Sequence, residues 1–232
     1  AIVLSYLGWT SAQLTALGLV IHLLSGGAID LDTAIMSGAA VVLVYTIFGG
    51  MWSVAFTDLF QTVVILIGLS LVAWLVGDMA GGPAKVIAQA AADGKLTMFS
   101  ADLDAAGLWA MAGAFFAFAF GSIPQQDVFQ RITSAKTSTI AIWGSLLGAS
   151  IYFCFTFVPM FIAYSATLID PELFTGLMET DSQLVLPTLV LQHTPLFAQV
   201  LFFGAVLSAI MSCSSATLLA PSVAFSENIV RG

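Results

Sequence analysis

Charge is what this chain has least of. Only 8% of its 232 residues are Asp, Glu, Lys or Arg, against about a quarter in a soluble domain. That scarcity, with a mean hydropathy of +1.04, excludes a water-soluble globule and defines an integral membrane protein whose partner is a lipid bilayer. Bases are scarcer than acids, five against 13, so no basic stripe exists and no nucleic-acid partner is expected. Cysteine is nearly absent too. Cys154 and Cys213 both lie in apolar segments and are expected as reduced thiols packed like small hydrophobes, not as a disulfide. The chain does not open with Met or a charged stretch, so its first apolar segment does not read as a signal peptide. Its abrupt ends give the expectation of a piece of something longer. No His, Asp and Glu cluster stands at catalytic or metal-binding spacing, so neither an enzyme nor a metal centre is expected.

Long apolar runs are what is there. A membrane-spanning helix needs roughly 20 mostly apolar residues. By that measure the expected fold class is all-α, with six transmembrane helices near residues 1–24, 33–48, 54–77, 108–129, 140–168 and 186–226, in one partial transmembrane domain over residues 1–232. The segments are too long, and alternate too little, for a lipid-facing barrel. Gly49 and Gly50 form an expected tight turn; residues 84–92 form an amphipathic patch expected at the membrane surface; residues 170–181 read as an acidic loop. The sixth span is expected to break near His193, Thr194 and Pro195, and Pro221 to bend its far part.

Lys and Arg orient such a protein. Arg131, Lys136, Arg231 and Ala1 fall on one side if the helices alternate, and that side is taken as the inside. Lys85 and Lys95 then lie outside among acids, as do Asp30, Asp32 and the stretch 170–181. Most of the five Trp residues sit near expected membrane borders, and His22 and His193 read as interfacial.

Polar groups inside the membrane are expensive, and so point to function. On the last apolar segment Ser208, Ser212, Ser215, Ser222 and Ser226 recur three, four or seven residues apart, a hydroxyl stripe along one helix face. Ala209, Ser212 and Cys213 share a face; hydroxyls and a carbonyl there are hard ligands for a small cation, or small residues for close helix packing. The fourth span holds Gly121, Ser122 and Pro124 before Gln125, Gln126 and Asp127, the pattern of a discontinuous helix or of a plain proline kink. Asp58 lies a few residues inside the third span, either a carboxylate near a helix N-terminus or an ion partner or proton-sensitive acid facing the Ser stripe.

Three segments together resemble the sodium:solute symporter family: YTIFGGMWSVAFTDLFQ (45–61), GSIPQQDVFQR (121–131) and GAVLSAIMSCSSATLLAPSVAFSENIVR (204–231). The resemblance covers nearly the whole chain. It implies a leucine-transporter-like inverted-repeat fold, of which this chain would hold core helices three to eight. It also implies a common sodium site, whose matched positions here are Ala209 through its carbonyl, Ser212 and Cys213. Cys213 stands where many members have Ser or Thr, and a thiol is a poor sodium ligand. The partners from core helix one would be missing. A possible second sodium matches Asp58 of the Thr57-Asp58 pair, Ser212 and Ser215, with Ala216 where a further hydroxyl is expected.

The function so implied is sodium-coupled symport of a small organic solute by alternating access, with Na+ as the coupling ion. Phe118, Gly121 and Gln125 are the expected substrate positions, for a small polar or zwitterionic solute. The texture is closest to choline-transporter-like and proline- or pantothenate-like members. Choline-type members place an aromatic where this chain has Gln125, which cannot supply a cation-binding face. The rival expectations are a transporter-like sensor input module and a cation channel. A channel would show polar stripes on several helices, and one strong stripe is present. The expected location is a cell membrane, the bacterial inner membrane in particular.

Overall fold

In the computed structural model, the structure describes residues 2–97, 104–121, 123 and 125–231. The described elements are all helical: α1 (Ile2–Leu24), α2 (Leu31–Met79), α3 (Pro83–Ala92), α4 (Ala105–Gly121), α5 (Gln126–Thr133), α6 (Ser138–Phe155), α7 (Phe157–Ile169), α8 (Pro171–Thr180), α9 (Val185–His193) and α10 (Leu196–Phe225), with a 3-10 turn at Ser182–Leu184 and a π turn at Ser226–Val230. No strand occurs among the described residues. Five stretches are long and apolar enough to cross a membrane: Ile2–Leu24, Leu31–Phe48, Gly50–Met79, Ser138–Ile169 and Leu196–Val230. A sixth is counted if α4 and α5, which meet at 45°, form one broken span. This is the all-α multi-pass architecture expected from composition.

The chain reverses inside α2. Gly50 has φ 54 and ψ −154, which breaks the helical path between the two apolar halves. Glycine alone takes such a backbone without strain. The reversal is visible in the contacts. Tyr45 bonds the carbonyl of Met211 and Asp58 bonds the hydroxyl of Ser212, adjacent residues on α10. A straight helix would hold Tyr45 and Asp58 about 20 Å apart.

Helices close on each other where side chains are smallest. A Cβ at Gly18 of α1 would lie 2.8 Å from the backbone of Ile35, and one at Gly68 of α2 would lie 2.9 Å from the carbonyl oxygen of Leu201 on α10. The apolar core gathers Val72 and Val76 of α2, Ile162 and Ala166 of α7, Phe174 of α8, Leu189 of α9 and Phe202 of α10. It lies along α2 well past Asp58, so this apolar cluster and the polar cluster stand at different levels of the bundle.

Some details differ from the sequence reading, but the sixth span breaks where expected: α9 ends at His193, Thr194 takes an extended backbone, and the long helix begins at Leu196. Pro195 cannot continue the helical ladder, which explains the break. Pro221 sits inside α10 without ending it. The acidic stretch 170–181 is not a loop. Asp170 caps α8 by accepting from the Leu173 N–H at 3.1 Å, and Pro171 occupies the first helical position. Residues 84–92 are helical as α3, with Val86 and Ala90 buried. Both cysteines are free, but Cys154 is exposed rather than packed in a core, and Cys213 is half-buried. Trp52 is 89% exposed and Trp109 76%. Ser122, Pro124, Ala1 and Asp102 lie outside the described residues.

Candidate functional site

The Ser stripe meets a carboxylate. Ser212 on α10 donates its hydroxyl to Asp58 Oδ1 on the second half of α2. Asp58 Oδ2 is paired with Arg131 Nη2 of α5 at 2.6 Å. The other guanidinium nitrogen of Arg131, Nη1, lies 3.8 Å from Asp127 Oδ2, one turn back on α5. Asp127 Oδ1 accepts from the Tyr6 hydroxyl of α1 at 2.5 Å, and the Asp127 backbone N–H donates to the same Tyr6 oxygen at 3.1 Å. One polar path therefore joins α1, α5, α2 and α10.

Local structure positions each member. The reversal at Gly50 brings the second half of α2 back along α10, which sets Asp58 opposite Ser212. Tyr45, on the first half, donates to the Met211 carbonyl at 2.8 Å and fixes the same turn of α10 from the other side. Ser215 donates to the Ser212 carbonyl at 2.9 Å, and its oxygen keeps its lone pairs as an acceptor. Thr10 of α1 donates to the Thr217 carbonyl at 3.2 Å. Thr57 spends its hydroxyl on the Ser53 carbonyl at 2.8 Å, not on its neighbour Asp58. Ser215 and Thr217 are fully buried, whereas the Asp58 and Arg131 side chains are 21% and 38% exposed. The site is a partly open polar cluster.

The other sequence-derived positions are less gathered. Ala209 is exposed and Ser212 and Cys213 are half-buried on α10. The helix is unbroken through them, so the Ala209 carbonyl is engaged in the helical ladder and has its second lone pair to offer. Phe118 and Gly121 lie near the end of α4, where no residue is buried. Phe118 is 82% exposed, and a Cβ at Gly121 would meet nothing within 4 Å. Gln125 is half-buried at the start of α5, with an extended backbone at φ −67 and ψ 117. The carboxylate Asp58 meets the hydroxyl stripe; the three substrate positions do not enclose a cavity. His22 Nδ1 sits 2.6 Å from the Ile29 carbonyl beyond the end of α1. His193 packs on Phe174.

Sequence reasoning missed three members. Arg131 was legible only as a marker of orientation, Asp127 only as part of the polar pattern after Pro124, and Tyr6 carried no signal of its own. The one available hint was local: Asp127 and Arg131 stand four residues apart on one face of α5. Their partners come from residues 121 and 73 positions away, which no spacing rule reaches.

A chain reversal, a bent helix pair and a half-buried hydroxyl of the serine stripe set on a carboxylate define a multi-pass membrane protein with a polar site between its helices. The chain belongs to the sodium:solute symporter family, whose model matches residues 1–231. It is similar to high-affinity choline transporter 1 of Drosophila melanogaster, 28% identical over 96% of this chain and 36% of that protein. The Homo sapiens protein of the same name is 27% identical over 95% of this chain and 38% of its own length. That of Torpedo marmorata is 29% identical, again over 95% and 38%. The chain thus spans little over a third of the length of these curated relatives. No solved structure matches it.

Proposed function

We propose that this chain is part of a secondary transporter that carries a small polar or zwitterionic solute together with sodium by alternating access. The observation that carries the reading is the Ser212 hydroxyl on the Asp58 carboxylate, flanked by buried Ser215. Hydroxyl, carbonyl and carboxylate oxygens are the hard donors that suit a small cation. Family membership supports sodium as the co-substrate.

The first sodium would sit against Ala209, through its carbonyl, and Ser212, with Cys213 a weak third donor. The exposed side of α10 at Ala209 leaves room for ligands from a neighbouring helix, which the family resemblance places on the first core helix. A second sodium would take Asp58, Ser212 and Ser215. Phe118, Gly121 and Gln125 would face solute at the bend between α4 and α5. The choline transporters among its relatives support a solute of the quaternary-ammonium or zwitterion class. Gln125, with no aromatic face, favours a solute that also accepts hydrogen bonds. The membrane is a cell membrane; those relatives are animal proteins and lend nothing to a bacterial inner membrane.

Sodium drives solute only if it binds one conformation better than the other. Uptake of labelled choline, proline, pantothenate and a hexose by the full-length parent in proteoliposomes tests this, with and without an inward sodium gradient. One solute should enter with sodium and not with potassium. In the same assay Ser212→Ala should raise the half-saturating sodium concentration at least tenfold, on the scale of one lost charge-assisted contact. An unchanged sodium affinity would remove Ser212 from the site.

A further inference from the structure

Arg131 lies between two carboxylates that come from different helices. Its Nη2 is 2.6 Å from Asp58 on α2, and its Nη1 is 3.8 Å from Asp127 on its own α5. The contacts are unequal, one closed and one loose. Each carboxylate has its other oxygen already engaged. Asp58 Oδ1 takes the Ser212 hydroxyl, and Asp127 Oδ1 takes the Tyr6 hydroxyl. So each presents one oxygen to the same guanidinium. Tyr6 holds Asp127 twice, through the side chain and the backbone N–H. Asp127 therefore stays on α1 whichever carboxylate Arg131 prefers. The Arg131 side chain is 38% exposed, so it is not caged between the two carboxylates.

The charges do not balance. Two carboxylates and one guanidinium leave one negative charge over within this group. A monovalent cation would neutralise it, and inside a membrane protein that matters more than in water. Resting on the sodium reading of Asp58, Ser212 and Ser215, we infer that Arg131 is a resident cation that competes with sodium for Asp58, and that Asp127, fixed by Tyr6, is its second dock. When sodium takes the Asp58 carboxylate, Arg131 closes its loose contact with Asp127. Both Arg131 and Asp127 belong to α5, so this exchange frees α5 from α2 while Tyr6 keeps it on α1. Ion occupancy is thereby converted into the attachment of one short helix. Tyr6 and Asp127 are positioning residues in this scheme; they need not touch the ion.

The competition gives opposite signs to two substitutions. In the full-length parent, Arg131→Gln removes the competitor and should lower the half-saturating sodium concentration about fivefold or more. Asp127→Asn removes the second dock and should raise it by a similar factor. Tyr6→Phe should raise it less, and Arg131→Lys, which keeps the charge, should stay near the unsubstituted protein. Uptake in proteoliposomes reads the constant where transport survives. Where it does not, sodium protection of the solubilised protein against heat reads it from binding alone. A general injury to the fold would weaken sodium in both charge-removing variants. That result, or no shift in either, overturns the competition while a sodium-dependent parent upholds the symport reading. A parent with no sodium effect on uptake or heat stability overturns the symport reading, and the competition with it.

Discussion

Asp93 follows α3, outside the spanning helices, and accepts two side-chain hydrogen bonds. One comes from the Tyr164 hydroxyl of α7, the other from Gln89 Nε2 at 3.0 Å. These donors, Tyr164 first, hold its carboxyl below the ordinary value of 3.8. A depressed folded value means that the unfolded chain takes up the proton first as pH falls. The stabilisation is thus complete above the unfolded value and is lost as pH drops through the folded one. Thermal unfolding of the parent between about pH 5 and pH 2 should show this: Asp93→Asn should flatten the acid-side decline. An equally steep decline would mean that the bond to Tyr164 does not form. At this scale the sequence showed types and faces but not partners. The Ser stripe and Asp58 stood out because a polar group in an apolar run is visible by itself. Arg131 and Tyr6 acquire meaning only across helix contacts, and so stayed silent.

Among the elements, α2 shows how a local signal can be right in place and incomplete in geometry. Gly49 and Gly50 marked a turn, and Gly50 does reverse the chain, but with hardly a residue spent between the two helical halves. Replacing Gly50 by Ala forces a Cβ residue into φ 54, a strain of about 1–3 kcal/mol. Gly68→Val pushes a branched side chain toward the Leu201 carbonyl, and overpacking of this kind costs about 1–3 kcal/mol. Both variants should lower the melting temperature of the solubilised parent. Gly113→Ala, where a Cβ meets nothing within 4 Å, should leave it nearly unchanged. If Gly68→Val melts with the parent, α2 and α10 do not approach at Gly68. The short helices were harder to foresee than the spans. Stretch 170–181 looked like a loop because it is acidic and contains Pro171 and Gly176, yet Asp170 and Pro171 supply a start strong enough to form α8.

Over the whole molecule, burial is uneven. No described residue of α4, α5 or α6 is buried, whereas α1, α7 and α10 each bury several. A helix with large exposed side chains such as Trp109, Phe118 and Trp143 finds its cover in lipid or in other helices. The 232-residue chain alone, purified in mild detergent, should therefore melt over a broad range and not in one cooperative step. A sharp single transition would show that the buried core suffices. The fold class was legible because span length and hydropathy are set by the bilayer itself. The uneven burial was not, since an apolar surface reads the same whether it faces lipid or a neighbour.

Helix α10 meets other helices through four polar contacts in a short stretch: Tyr45 at Met211, Asp58 at Ser212, Thr10 at Thr217 and Gln130 at Ala220, the last at 3.5 Å. These contacts are meshed like teeth on a screw. Adding or deleting one residue would turn everything beyond it by about 100°. The teeth past that point would then face the wrong helices together. This stretch can change its letters one at a time, but it cannot change its length, so insertions and deletions among relatives belong before Met211 or after Ala220.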